Sequence, residues 1–321
     1  MLDESTSYRP FKYQFLMEAA KRHSIDMYWD VHSVELQDDI RQYNNLKTPN
    51  VSHEVNKYIL DTLINLFTEM DRAVADGYIK LLPYAKNNEA RCWLLTAAQR
   101  EVVHQRGYAL LPEALGFSNA RWVDFKNHEQ MQNKLNAVKE DIDTNCSEAL
   151  QAAKILSTVL LGEGIGLFAA FTCLLNFKRY GLLMGYNDVN QWSLADEQDH
   201  VETNIKLLHT IPLTYDERAE LTNHILDKAA ELTKAEFDYI DLICAKGDPE
   251  GLTKLQLRDY IGFLNSYRLG QLGLSDHSLT NPLPWMDWLL SAKKHDAFFE
   301  KRVTDYVHTY LPGKVDYSKY I

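Results

Sequence analysis

Two short motifs in this 321-residue chain could hold a metal ion, Glu101-Val-Val-His104 and Glu197-Gln-Asp-His200. On a helix, positions three apart share a face, so each motif can offer one carboxylate oxygen and one imidazole nitrogen to the same ion. With 20 Glu and 11 His in the chain, chance alone gives roughly 0.7 such pairs, so either motif by itself is a weak signal. Their surroundings strengthen it. Glu163 is the one charge in the run ILSTVLLGEGIGLFAAFTCLL at 155–175, and Asp71 follows Leu66, Phe67 and Met70. A carboxylate in an apolar helix is costly unless it is paired, protonated or bound to a metal.

Four helices would then each turn one acid inward, and two of them add a histidine. Ferritin-like dimetal carboxylate proteins are built this way, with one acid from each of two helices and Glu-x-x-His from each of the other two. Four converging carboxylates without cations would repel and stay partly protonated, whereas two divalent ions cancel four negative charges. Oxygen-rich ligation with two imidazoles suits iron or manganese better than zinc or copper, and it leaves open positions for dioxygen. Tyr108 lies four residues after His104, one turn along the same face. It reads either as a core ring with its hydroxyl at the rim or as a phenol close enough to be oxidised by one electron.

These residues need long helices to carry them. Apolar residues at three- and four-residue spacing run from Ser52 to about Leu82, with Pro83 closing the helix. Asn87 or Asn88 caps the next, which Pro112 stops. A third fills 119–142, a fourth runs from near Ser147 to about Leu183, and a fifth begins at a cap on Asp188 and ends before Pro212. Two more cover about 214–246 and 253–272. No stretch alternates like a strand. The expected fold is an all-α, ferritin-like bundle over 1–294 with an irregular tail at 295–321.

The apolar run at 155–175 is long enough to suggest a membrane span, but no other run approaches that length. The three glycines around Glu163 (Gly162, Gly164 and Gly166) each cost up to ~1 kcal/mol in a helix, which predicts something close against the backbone there. A net charge of −11 argues against nucleic acid or an anionic membrane as partner. Cys92, Cys146, Cys173 and Cys244 are widely spaced and form no C-x-x-C. The acidic N-terminus does not read as a signal peptide, so a reduced, cytoplasmic setting is expected.

At this point the chain resembles the small (beta) subunit of class I ribonucleotide reductase. The resemblance rests on FTEMD at 67–71, NNEARCWLLTAAQREVVHQRGYALL at 87–111, GEGIGLFAAF at 162–171 and LADEQDHV at 194–201. NPLPW at 281–285 and FFEKRVTDY at 298–306 add to it. It implies Asp71, Glu101 and His104 as ligands of one metal, and Glu163, Glu197 and His200 as ligands of the other, with one carboxylate bridging. The pair would be iron, manganese or one of each, with O2 as oxidant. Tyr108 would be the radical tyrosine, Trp29 and Asp196 a hydrogen-bonded pair on the radical route, and Tyr306 the relay in the tail, with Tyr310, Tyr317 and Tyr320 also available.

The resemblance further implies a homodimer working with a large (alpha) subunit that docks on the tail and supplies deoxyribonucleotides for DNA replication. A flavoprotein activase would join it if the metal is manganese. The nucleotide would bind on the large subunit, in keeping with the lack of a P-loop here. One departure is that Asp71 precedes Glu101 by 30 residues, one fewer than the family pattern. A deletion between Gly77 and Pro83 would absorb this, and Glu69 is the alternative first ligand. Two other functions fit the same ligands: a dimetal oxidase acting on a small apolar substrate, and a ferritin-like iron store. The first would need an apolar channel and no relay tail; the second is usually a much shorter chain.

Overall fold

The computed structural model describes residues 1–5, 7–143 and 145–290. Within them the chain is all α-helical, with no strand. The helices are α1 Gln14–Lys21, α2 Gln37–Tyr43, α3 His53–Leu81, α4 Asn88–Ala114, α5 Asn119–Asp124, α6 Glu129–Ala137, α7 Glu148–Gly164, α8 Phe168–Arg179, α9 Met184–Leu208, α10 Tyr215–Ile243 and α11 Lys254–Gln271. The compact unit is Met1–Pro282, and a second begins at Leu283 with the 3₁₀ segment Pro284–Leu290. Tyr306 and the 295–321 tail lie outside the described residues.

Most helix starts follow from their caps. Ser52, Asn87 and Ser147 accept backbone N–H groups at the heads of α3, α4 and α7, and Thr214 and Thr253 form capping boxes on α10 and α11. Helices α3, α4, α7 and α9 then pack around one another, α3 against α4 and α7, and α9 against the same two. The run that could cross a bilayer by length and composition is instead wholly buried in this bundle.

Four expected boundaries differ, each for a local reason. Pro112 does not stop α4, which continues to Ala114. The proline removes the N–H that would bond the carbonyl of Tyr108, and the Tyr186 hydroxyl donates to that carbonyl instead at 3.2 Å. The expected helix over 119–142 is broken into α5 and α6. Beyond Val138 its one apolar residue before Cys146 is Ile142, which is exposed, so no stripe is left to bury.

Helix α9 starts at Met184, a turn before Asp188. Its cap comes from α2: Asp39 accepts the N–H of Gly185 at 3.3 Å and of Tyr186 at 2.6 Å. A Cβ on Gly185 would sit 2.0 Å from the Glu35 carbonyl oxygen, so only glycine admits this approach.

The fourth difference concerns the site. The helix expected to run unbroken to Leu183 ends at Gly164 and restarts at Phe168. Arg268 of α11 lies against Gly164, where a Cβ would come 3.1 Å from its Nε, and donates to the Gly164 carbonyl at 3.2 Å. On the far side Glu236 of α10 accepts the Ala169 N–H at 2.9 Å and pairs with buried Lys134. A cation thus faces the carbonyl end of α7 and an anion the amide end of α8, as the helix dipoles favour.

Candidate metal centre

The six expected ligand residues come together. Asp71 on α3, Glu101 and His104 on α4, Glu163 near the end of α7, and Glu197 and His200 on α9 are all buried. They form two overlapping groups, Asp71 with Glu101, His104 and Glu197, and Glu163 with Glu101, Glu197 and His200. Within each group one ligand atom per residue lies within 4.8 Å of the others. Glu101 and Glu197 belong to both, so either is placed to bridge. His104 Nδ1 is 3.1 Å from Glu197 and 3.4 Å from Glu101. His200 Nδ1 is 3.1 Å from Glu163 and 3.3 Å from both Glu101 and Glu197. Glu69 is not among them. It pairs with Arg72 at 3.2 Å and Lys126 at 3.1 Å.

Both oxygens of Asp71, Glu101 and Glu197, and Nδ1 of His104, make no hydrogen bond although buried. Leaving so many buried polar atoms unsatisfied is expensive unless a cation takes them. Two divalent ions would satisfy the charge of four carboxylates and engage these atoms, so the residues present fit a dinuclear metal centre.

The electrostatics of the metal-free chain agree. Burial, reinforced by Glu101, raises the Asp71 carboxyl well above its usual range. Burial also lifts Glu163 to about 8, only partly offset by His200. At Glu101 the upward push of burial is outweighed by His104 and His200, which hold it at about 2. Burial works against protonating the two imidazoles, but the carboxylates around them raise both well above the ordinary histidine value.

These shifts favour the protonated forms of Asp71, Glu163 and both histidines, so without metal the cluster is biased towards holding protons. Metal binding must expel them, so anaerobic Mn(II) binding should release protons and tighten as pH rises from about 6 to 8. A weakly buffered titration with a pH indicator measures this. Affinity independent of pH, with no proton release, would contradict it.

Asp196 organises the next layer. Its Oδ2 accepts Trp29 Nε1–H at 2.9 Å, Arg100 at 2.9 and 3.2 Å, and His104 Nε2–H at 3.0 Å. That last bond leaves His104 Nδ1 to face the carboxylates, as ligand histidines require. The Trp29 and His104 rings are stacked, 5.7 Å apart and inclined by 9°. Burial would push the Asp196 carboxyl up, but Arg100 and the histidines more than reverse it and hold it well below the carboxylate range.

Tyr108 is fully buried, donates to Asn190 Oδ1 at 3.2 Å and stacks on Phe67 with centroids 4.0 Å apart. Burial, then the nearby Asp71 carboxylate, raises its phenol well above the normal tyrosine value, so it is neutral.

Sequence reasoning missed Arg100, His23, Tyr78, Asn204 and Trp93. His23 is buried and bridges Asp196 at 3.4 Å and Asp199 at 2.8 Å. Tyr78 donates to both oxygens of Glu163. A usable signal existed for two of them. Tyr78 is seven residues after Asp71 and Asn204 four after His200, spacings that keep each on its ligand's face.

Residues 5–281 match the family described as ribonucleotide reductase, small chain. The chain is 28% identical over 335 residues to the protein named probable ribonucleoside-diphosphate reductase small subunit 048L of Invertebrate iridescent virus 3, covering 98% of this chain and 87% of that one. Its fold is similar to the ribonucleotide reductase Rnr4 homodimer of Saccharomyces cerevisiae, with a TM-score of 0.72 at 16% identity over 95% of this chain and 91% of that one. It is also similar to an R2-like ligand-binding oxidase with a reconstituted Mn/Fe cofactor, with a TM-score of 0.69 at 14% identity over 85% of this chain and 99% of that one. A family match across this span, on a helical bundle that gathers four carboxylates and two histidines, leads to one assignment: the chain belongs to the ribonucleotide reductase small-chain family of oxidoreductases.

Proposed function

We propose that this chain is the radical-generating small subunit of a ribonucleoside-diphosphate reductase. Asp71, Glu101, His104, Glu163, Glu197 and His200 would hold two ions of iron, manganese or one of each. Together with dioxygen, such a pair supplies an oxidant strong enough to take one electron from a phenol. The observation that carries this reading is the pair of overlapping ligand groups with their unsatisfied buried oxygens.

The chain's own residues do the rest. Tyr108 would give one electron and its phenolic proton to that oxidant, and its hydrogen bond to Asn190 fixes the direction in which the O–H points. Phe67 against one ring face and Phe171 beside Phe67 keep water from the radical. Trp29, joined to Asp196 and stacked on His104, provides the next oxidisable ring towards the large subunit. Tyr306 then relays the hole to a cysteine of that subunit, and the tail at 295–321 docks there. Small chains of this family work with a large subunit and form homodimers. In this setting the protein acts in the cytoplasm and supplies deoxyribonucleotides for DNA replication. A flavoprotein activase serves it if the metal is manganese.

An oxidase of small apolar substrates would need an apolar chamber on the ligands. A cavity of about 270 Å3 lies between α3, α7 and the segment 138–140, with Ile79, Ile155 and Val159 as well as Arg72, Asp76 and Glu140 in its walls, but none of the six ligand residues lines it. The radical reading is tested by loading the protein with metal anaerobically and admitting oxygen. A tyrosyl EPR signal is expected in the parent and should vanish in Tyr108→Phe; survival of the signal in that variant would remove Tyr108 from the role.

A further inference from the structure

Glu163 differs from the other three carboxylates. Asp71, Glu101 and Glu197 leave both oxygens without a hydrogen bond, whereas both oxygens of Glu163 have partners. The Tyr78 hydroxyl lies 2.8 Å from Oε1 and 3.0 Å from Oε2. Asn204 Nδ2 is 2.8 Å from the Tyr78 oxygen and 3.4 Å from Glu163 Oε2. Trp93 Nε1 is 2.9 Å from Asn204 Oδ1. All four residues are fully buried.

The chemistry of these groups fixes the direction of the chain. An indole N–H can only donate, so Asn204 must turn its oxygen to Trp93 and its amide hydrogens to Tyr78. The phenol oxygen therefore accepts from Asn204, and its own hydrogen is free only for Glu163. Each member comes from a different helix of the ring: Trp93 from α4, Asn204 from α9, Tyr78 from α3 and Glu163 from α7. Trp93, Asn204 and Tyr78 each lie one or two turns from a ligand on the same helix (Glu101, His200 and Asp71), and Glu163 is itself the ligand of α7. Glu163 is two residues from the break between α7 and α8, where the backbone gives it less support than a helix interior gives the other ligands.

We propose that Tyr78 is a positioning residue for Glu163, with Asn204 and Trp93 orienting the phenol. The chain holds the Glu163 carboxylate in one orientation, and so sets the affinity of the metal position that Glu163 shares with His200. This rests on the dimetal reading above. Asn204 satisfies only the acceptor side of the phenol; its O–H has Glu163 as acceptor and lies within reach of both carboxylate oxygens, so the phenol and the carboxylate orient each other.

The test is anaerobic Mn(II) titration of the full chain, with free Mn(II) counted by EPR. The parent should bind two ions per chain. Tyr78→Phe, which keeps the ring and removes one oxygen, should weaken one of the two by about ten- to a hundredfold and leave the other unchanged. Thermal unfolding of the metal-free variant, together with the intact first site, reports that it is folded. In a Glu163→Ala background, adding Tyr78→Phe should change nothing further, since the group it acts on is gone. Two equally tight ions in Tyr78→Phe would overturn the proposal while sparing the dimetal reading. Equal weakening of both sites, or a further loss in the Glu163→Ala background, would also overturn it, because Tyr78 would then act on the fold at large. A parent that binds no pair of ions would overturn both readings.

Discussion

Replacing Glu101 with alanine is expected to empty both metal positions. Glu101 is one of two residues common to both ligand groups, and it lies within 3.4 Å of each ligand histidine. Its loss removes a ligand from each position at once and leaves His104 and His200 with less negative charge beside them. Glu163 belongs to one group only, so Glu163→Ala should retain one ion. Metal analysis after anaerobic loading and desalting distinguishes the two: near zero per chain for Glu101→Ala, near one for Glu163→Ala, two for the parent. Two ions retained in Glu101→Ala would show that it is not a shared ligand.

The second large effect falls on Asp196. Arg100 is a fully buried guanidinium whose ion-pair partner is Asp196. Asp196→Asn removes the negative charge and keeps the shape, leaving Arg100 uncompensated in the core. Breaking a buried pair in this way costs about 3–5 kcal/mol, a large share of the stability of an ordinary domain. The same substitution weakens the acceptor that fixes His104 and Trp29, so activity with the large subunit should fall further than stability alone explains. Urea unfolding of the metal-free protein measures the first effect. A midpoint unchanged from the parent would mean that Arg100 finds another counter-charge.

The fold and most of the site were legible because both are written in local patterns. Ser52, Asn87, Ser147, Thr214 and Thr253 announce helix starts by chemistry that acts within three residues. The two Glu-x-x-His motifs carry their own geometry, and Glu163 stands out as a lone acid in an apolar run. The Trp29 to Asp196 bond spans 167 residues, and only the family resemblance pointed to it.

What stayed hidden depends on distant partners. The glycines beside Glu163 foretold a close approach but not a helix end. The end is stable because Arg268 and Glu236, some 70 to 100 residues later, satisfy the broken backbone. Helix α9 begins early because Asp39 caps it from another helix. Tyr78, Asn204 and Trp93 are unremarkable in the sequence and acquire a role only when α3, α9 and α4 bring them to Glu163.

One buried cluster is expected to hold two metal ions between shared carboxylates. Anomalous scattering from crystals grown with manganese or iron tests it directly. Two peaks per chain are expected, one beside Asp71 and His104 and the other beside Glu163 and His200, with Glu101 and Glu197 within reach of both. A single peak, or metal bound away from these six residues, would contradict a dinuclear centre at this cluster.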